Sequence, residues 1–126
     1  MGKTCRTIAL IDDDADSRLL ARAVLGGDFR IAEFETGEGA LHGLAGVQPD
    51  LVLLDLNLPG MDGLFVLEWV RSAPSLAHVP VIAFTAYAGG RLDLLHAAGF
   101  DECVSKPLLN ESALLEPVRR LLRDVA

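Results

Sequence analysis

The segment DLVLLDLNLPGMDG (residues 50–63) places a carboxylate at the end of a run of apolar residues. Such a short, continuous apolar run is typical of a strand that is buried on both faces. We predict a strand over residues 50–56, which puts Asp55 inside it or at its end. A carboxylate in apolar surroundings costs free energy unless it is paired, so Asp55 requires a partner or a chemical role.

Similar apolar runs alternate with amphipathic segments along the whole chain. Buried strands that alternate with helices indicate a parallel sheet with helices on both faces. The predicted strands span 6–11, 29–35, 50–56, 78–86 and 101–105, and the predicted helices span 15–25, 37–46, 63–73, 89–99 and 111–125.

The first predicted helix, ADSRLLARAVL (15–25), has apolar residues at helical spacing. On this pattern we expect one side of the helix to face the core. Asp14 precedes the helix, and we interpret it as a solvated or helix-capping residue rather than as a ligand. The residues expected to face the core are Leu19, Leu20, Ala23 and Val24.

Polar side chains follow four of the five predicted strands. In open sheets of this type, ligands bind at the carboxyl ends of the strands. The second strand, which ends in Glu35 and Thr36, does not belong to the set. The candidate site residues are Asp12 and Asp13 after the first strand, Asp55 and Asn57 after the third, Thr85 after the fourth, and Ser105 and Lys106 after the fifth.

This set of residue types suits phosphoryl transfer to a carboxylate. Carboxylates at neighbouring strand ends, about 5 Å apart, repel one another unless a cation is bound. Oxygen ligands favour Mg²⁺, and a lysine balances the charge of a phosphoryl group. Asp55 is then the predicted nucleophile, with Thr85 donating its hydroxyl to a phosphoryl oxygen and Lys106 supplying the positive charge.

The segments LIDDDADSR (10–18), DLVLLDLNLPGMDG (50–63), VPVIAFTA (79–86) and VSKPL (104–108) resemble those of response regulator receiver domains in two-component signalling. The resemblance covers all five predicted strands. It implies a flavodoxin-like α/β fold, a doubly wound (βα)5 arrangement with strand order 2-1-3-4-5. It also implies a cis peptide bond between Lys106 and Pro107.

The resemblance assigns a role to each candidate residue. Asp55 corresponds to the phosphoacceptor, and Asp12 and Asp13 correspond to the acidic pair that binds Mg²⁺. Asn57 would offer its backbone carbonyl to the metal ion. Thr85 corresponds to the switch hydroxyl and Lys106 to the phosphate-binding lysine.

One position departs from the family pattern. Most similar receivers carry Tyr or Phe three residues before the lysine, whereas this chain has Cys103. We therefore hypothesise that signal transmission depends on the loop after the fourth strand and on the fourth helix, including Tyr87. We interpret Cys103 as a small buried residue, which is a simpler explanation than a redox site.

Composition limits the other possibilities. The chain has 126 residues, which fits one receiver domain over 1–126, and we expect no output domain. A net charge of −7 argues against a nucleic-acid partner. Cys5 and Cys103 form no metal or disulfide motif, which favours a cytoplasmic protein, and no apolar run is long enough to cross a membrane.

The expected partners are a sensor histidine kinase or histidine phosphotransfer domain as phosphodonor, and a downstream protein at the face of helix 4, strand 5 and helix 5. The chain could be a stand-alone regulator or the receiver of a hybrid kinase. Two alternatives stay open. One is a pseudo-receiver that docks without phosphorylation; the other is an aspartate-nucleophile phosphatase, although Asn57 stands where such enzymes carry an acid.

Overall fold

The computed structural model describes residues 5–86, 92–108 and 110–123. Within these ranges, the strands of the main sheet are β1 Thr7–Ile11, β2 Arg30–Phe34, β3 Leu51–Leu54, β4 Val81–Thr85 and β5 Glu102–Ser105. The helices are α1 Ala15–Leu25, α2 Gly37–Val47, α3 Gly63–Ser72, α4 Leu92–Ala98 and α5 Ser112–Arg123.

The sheet is parallel throughout, with the order β2-β1-β3-β4-β5. The predicted flavodoxin-like fold is therefore confirmed. The central strand β3 is shorter than predicted, because Asp55 lies just beyond its last residue, Leu54. Asp55 thus occupies the carboxyl end of a fully buried strand rather than its interior.

Two hydrophobic cores lie on opposite faces of the sheet. One face packs against α1 and α5, through side chains such as Ala21, Leu25 and Leu114. The other packs against α2, α3 and α4, through side chains such as Leu44 and Val66. Because both faces are covered, the three central strands β1, β3 and β4 are almost continuously apolar, which is why they are easy to recognise in the sequence.

The predicted packing side of α1 is wrong for Leu19, Leu20 and Ala23, whereas Val24 packs partly against the core. Leu19 is 67 % exposed and Leu20 is 43 % exposed, whereas Ala21 and Leu25 are completely buried. Both arginines of the helix, Arg18 and Arg22, form ion pairs with Glu33 on β2. The side of the helix that carries these arginines also buries Ala21 and Leu25, so Leu19 and Leu20 are left facing solvent.

The fourth helix is described over part of its predicted length. Its observed residues, Leu92–Ala98, fall within the predicted range 89–99. Tyr87, on which the switch hypothesis partly depends, lies outside the described residues. In the portion of the chain that is described, no helix combines the length and the apolar character needed to span a bilayer.

Candidate functional site

Asp12 and Asp55 lie side by side at the carboxyl edge of the sheet. The register between β1 and β3 pairs Ile11 with Leu54, so the next residue of each strand also comes close. The backbone N–H of Asp55 donates to the Ile11 carbonyl at 2.9 Å. Asp12 is 1 % exposed and Asp55 is 6 % exposed. The fold therefore brings the two predicted carboxylates together in a largely buried position.

Lys106 follows β5, two strands away from β3, and its side chain reaches back to both carboxylates. Its Nζ donates to Asp12 Oδ2 at 2.7 Å and to Asp55 Oδ2 at 3.2 Å. The same atom lies 5.1 Å from the centre of the Phe84 ring, within cation–π range. The Lys106–Pro107 peptide bond is cis, as the resemblance implied. Lys106 thus places a positive charge between two buried acids.

Burial and ion pairing oppose each other at this site. Burial raises the pKa of Asp12, although hydrogen bonds from Lys106 and from the Asp14 N–H favour its charged form. Burial by itself lowers the pKa of Lys106, but the hydrogen bond and charge of Asp12, together with those of Asp55, raise that pKa overall. The acids thus hold the Lys106 ammonium in its charged form. For Asp12, the hydrogen bonds and the charge of Lys106 do not fully offset the effect of burial, so its pKa stays raised.

Asp13 completes a group of three carboxylates with Asp12 and Asp55. One oxygen from each lies within 4.8 Å of the other two. Asp13 is exposed, and no group in the described ranges 5–86, 92–108 and 110–123 bonds to its carboxylate. A donor set made of oxygens and open to water on one side suits Mg²⁺, which retains several water ligands. The residues present therefore fit a magnesium ion.

Asp14 has a different role from the two acids before it. It is the N-cap of α1, and its carboxylate accepts from the Asp16 N–H at 3.1 Å and from the Ser17 hydroxyl at 3.0 Å. Its interpretation as a helix cap is confirmed. The cap fixes where α1 begins and so limits the acidic loop to the residues directly after β1.

Thr85 and Asn57 lie at the same edge of the sheet. Thr85 ends β4 and is completely buried, and its carbonyl accepts from the Lys106 N–H at 3.1 Å. The backbone N–H of Asn57 donates to Asp55 Oδ1 at 3.1 Å, which leaves Asp55 Oδ2 to contact Lys106. The functions assigned to the Thr85 hydroxyl and the Asn57 carbonyl stay predictions.

A short hairpin beyond β3 was not predicted. Asn57–Leu58 pairs antiparallel with Met61–Asp62, and the turn between them has Gly60 at a φ of +74°, a conformation that favours glycine. Gly63, at the start of α3, is required for a different reason, namely space. A Cβ at Gly63 would lie 2.6 Å from the Leu56 Cα and 2.8 Å from the Asp55 carbonyl oxygen. Gly63 therefore allows α3 to start directly against the backbone that carries Asp55.

We expect Gly63→Ala to lower the free energy of unfolding by about 2 kcal/mol, because the added methyl group overlaps rigid backbone rather than a movable side chain. Gly46→Ala is the matched control. It also lies in a helix, but nothing is within 4 Å of the added Cβ, so stability should rise by about 0.5–1 kcal/mol. Urea unfolding of both variants measures the difference. Equal changes in the two variants would contradict the close-approach explanation.

Sequence patterns also gave no indication of two residues that contact this site. One is Phe84, whose ring lies beneath the Lys106 ammonium. The other is Arg18, whose guanidinium Nη1 donates to the Asp12 carbonyl oxygen at 2.7 Å. Neither residue type by itself points to a functional site, so only the three-dimensional arrangement identifies them.

A sequence model described as the response regulator receiver domain matches residues 8–119 of this chain. The matched region contains every residue of the candidate site. The chain belongs to the response regulator receiver domain family. Receiver domains act in two-component signalling, and related proteins are response regulators.

Similar proteins support this assignment. The chain is 29 % identical over 114 residues to the polar-differentiation response regulator DivK of Brucella ovis. The matched region covers 90 % of this chain and 92 % of DivK. Response regulator TrrA of Thermotoga maritima, solved in complex with Mg(2+)-BeF, is 34 % identical, with a TM-score of 0.80 and coverage of 92 % and 98 %. The receiver domain of a histidine kinase from Syntrophus aciditrophicus is 27 % identical, with a TM-score of 0.83 and coverage of 96 % and 92 %.

Cys103 distinguishes this receiver from those with an aromatic residue at the same position. It lies on β5, is partly buried, and packs against the core shared with α3 and α4. Burial raises the pKa of the Cys103 thiol, and the negative charge of the neighbouring Glu102 raises it further. The thiol is therefore mostly protonated and inert at neutral pH, in agreement with a packing role.

We expect an alkylating reagent at neutral pH to label Cys5 before Cys103, because Cys5 is exposed whereas Cys103 is partly buried with a raised pKa. The rate difference should be about tenfold. Peptide mass spectrometry after timed quenching measures each site, and Cys5→Ser isolates the slower reaction. Labelling of Cys103 at the rate of Cys5 would rule out an inert, packed thiol.

Proposed function

We propose that this receiver accepts a phosphoryl group on Asp55 and changes its protein contacts as a result. The observation that carries the proposal is the contact of a single ammonium, Lys106 Nζ, with both Asp12 and Asp55 at the edge of the sheet. A buried carboxylate next to both a lysine and a cation site is arranged to react with a dianionic phosphoryl group.

In the proposed reaction, a carboxylate oxygen of Asp55 attacks phosphorus. The new oxygen–phosphorus bond forms as the bond from phosphorus to the histidine nitrogen of the donor breaks, and the product is an acyl phosphate. Asn57 orients the Asp55 carboxylate through its N–H. Lys106 and Thr85 would contact the phosphoryl oxygens, one as a cation and the other as a hydroxyl donor.

Asp12, Asp13 and Asp55 would hold Mg²⁺, with the Asn57 backbone carbonyl as a further ligand. When bound, the ion would neutralise negative charge on the phosphoryl group and on the carboxylates. The close approach of the three carboxylate oxygens supports this assignment. So does the Mg(2+)-BeF complex of the related TrrA.

We further propose that the phosphodonor, a histidine kinase or phosphotransfer domain, docks over a groove beside Lys106. The groove has a volume of about 330 Å³ and is lined in part by Leu20, Phe84, Pro107 and Leu108. Leu20 is 43 % exposed although it is apolar, and it lies at the groove wall. An exposed apolar side chain next to a reactive site favours contact with another protein.

We expect Leu20→Glu to slow phosphoryl transfer from the cognate donor protein by about tenfold, because a charge replaces apolar contact area. Phosphorylation by a small acyl phosphate should be unchanged, since that donor needs no protein interface. Leu94→Glu, at a 65 % exposed leucine of α4, is the control and should leave both rates unchanged. Equal slowing with both donors would place the defect in the site and not in docking.

For the output, we propose protein contacts at the face formed by α4, β5 and α5. The exposed Leu94 supports this surface as a contact region. With Cys103 replacing the usual aromatic residue, the phosphorylated state would be transmitted through α4 and the loop before it. A cytoplasmic location is part of this proposal, since Cys5 and Cys103 are both free thiols.

The experiment that tests the phosphoacceptor proposal uses the purified chain, Mg²⁺ and a small acyl phosphate. We expect a phosphoryl mass increase that maps to the peptide containing Asp55 and requires Mg²⁺. No adduct with the small donor or with a cognate kinase would favour a pseudo-receiver. Rapid, repeated hydrolysis of phosphate esters would instead favour a phosphatase.

A further inference from the structure

We infer that Arg18 is a positioning residue for the acidic pair: it holds the peptide unit between Asp12 and Asp13 and thereby sets the affinity for Mg²⁺. The inference rests on the cation site in the proposed function. It adds a residue that lies on α1, outside the strand ends, and that would not itself contact the ion.

The hydrogen bonds of Asp12 define its position on every side. Its backbone N–H donates to the Phe34 carbonyl at 3.0 Å, and its carboxylate accepts from the Asp14 N–H at 3.0 Å and from Lys106 at 2.7 Å. The remaining polar group, its carbonyl oxygen, accepts from Arg18 Nη1 at 2.7 Å. Removing Arg18 would leave this carbonyl without its partner and free the peptide unit to rotate.

Rotation of that peptide unit matters most for Asp13. The Asp12 carbonyl and the Asp13 N–H belong to one planar unit, so fixing the first fixes the direction in which Asp13 leaves the strand. In the described part of the chain, no hydrogen bond or ion pair holds the Asp13 carboxylate. The backbone, held by Arg18, therefore sets the direction of the Asp13 Cα–Cβ bond, and with it the positions from which the carboxylate can meet those of Asp12 and Asp55.

Arg18 is itself held in place by one acid on β2, Glu33, and by one just after it, Glu35. Its Nε donates to Glu33 Oε1 at 3.2 Å, its Nη2 lies 3.8 Å from Glu35 Oε2, and only 15 % of its side chain is exposed. Arg22 also pairs with Glu33, but it makes no contact with Asp12. The two arginines thus share a helix, a charge and a partner, and only Arg18 contacts the acidic loop.

A comparison of variants at Arg18 and Arg22 distinguishes positioning from simple electrostatics, because the two explanations predict opposite changes in Mg²⁺ affinity. Loss of a nearby positive charge should strengthen the binding of a cation to the acidic group. Loss of a group that positions a ligand should weaken binding, typically by about tenfold or more. Arg18→Met and Arg22→Met remove the same charge and keep a similar apolar chain, so they test the two explanations directly.

Isothermal titration of the chelator-treated chain with Mg²⁺ gives the test. We expect the dissociation constant to rise about tenfold in Arg18→Met. It should stay the same or fall in Arg22→Met, and Arg18→Lys should recover part of the loss. Without metal, the Asp14 amide, which donates to Asp12 Oδ1, should exchange hydrogen faster in Arg18→Met than in Arg22→Met.

An Arg18→Met variant that binds Mg²⁺ as tightly as Arg22→Met, with unchanged Asp14 exchange, overturns the inference while the cation site stands. A wild-type chain that binds no Mg²⁺ overturns both. If Arg18→Met does not fold, Arg18→Lys and Arg22→Lys decide the question, because both keep the charge. Equal dissociation constants in that pair also overturn the inference.

Discussion

Asp55→Asn should abolish formation of the acyl-phosphate adduct completely. The amide keeps the shape of the side chain but has no anionic oxygen to attack phosphorus. The wild-type chain and the variant are incubated with Mg²⁺ and a small acyl phosphate, and intact mass spectrometry measures the phosphoryl mass. Asp14→Asn is the matched control, because it changes a neighbouring aspartate that caps α1, and it should form the adduct as the wild type does.

The same substitution should leave the fold intact. Lys106 keeps its contact with Asp12, and one of three crowded negative charges is removed. We therefore expect Asp55→Asn to unfold at no lower a denaturant concentration than the wild type in the presence of a chelator. A phosphoryl group that remains in the folded Asp55→Asn variant would show that another residue accepts it.

Lys106→Met should affect both stability and reaction rate. It leaves Asp12 and Asp55 buried without their shared positive charge, which typically costs about 3 kcal/mol of unfolding free energy. It also removes a cation next to the phosphoryl oxygens, which should slow adduct formation by about 10²-fold or more. Urea unfolding in chelator and timed mass spectrometry measure the two effects.

The stability difference should depend on pH in a defined direction. In the folded wild type the pKa of Lys106 is raised above 10.5, so its stabilising contribution is complete below pH 10.5 and is lost as the pH rises through the folded value. Burial raises the pKa of Asp12 above 3.8, so the folded state binds that proton more tightly than the unfolded state does. Without Lys106, Asp12 loses a hydrogen bond and a charge that lower its pKa, so it binds its proton at a higher pH than in the wild type, and lowering the pH should reduce the deficit of Lys106→Met.

Lys106→Arg is the control for charge. It should retain most of the stability, because the positive charge remains, but the fork of the guanidinium differs from a single ammonium and should still slow the reaction. A Lys106→Met variant that is as stable as the wild type at neutral pH in chelator would contradict the prediction. It would show that Asp12 and Asp55 do not need the positive charge of Lys106 for stability.

The convergence of the site could be predicted because it depends on topology alone. Parallel strands end at the same edge, and the strand order that the resemblance implied makes β1 and β3 neighbours, so the acids after them meet and a lysine after β5 is within reach. The apolar runs identified the strands because both faces of the sheet are covered. Cys103 could likewise be located, on β5 and partly buried, from its position in the pattern.

Other features required the tertiary structure, because local patterns do not specify which neighbour a residue meets. The apolar residues of α1 allow more than one orientation, and the observed one buries Ala21 and Leu25, pairs Arg18 and Arg22 with Glu33, and exposes Leu19 and Leu20. The close approach at Gly63 is equally invisible in the sequence, since it depends on the distance between α3 and the end of β3.

The stretch 50–63 illustrates the division. Its sequence alone determined a buried strand that ends in a carboxylate, because the length and apolar character of a strand are local properties. Only the tertiary structure decided how that carboxylate is held: Lys106 comes from two strands away, and Ile11 and Asn57 contribute backbone groups. Charges and hydrogen bonds act over a few ångströms in space, so residues far apart in the chain determine the environment of Asp55.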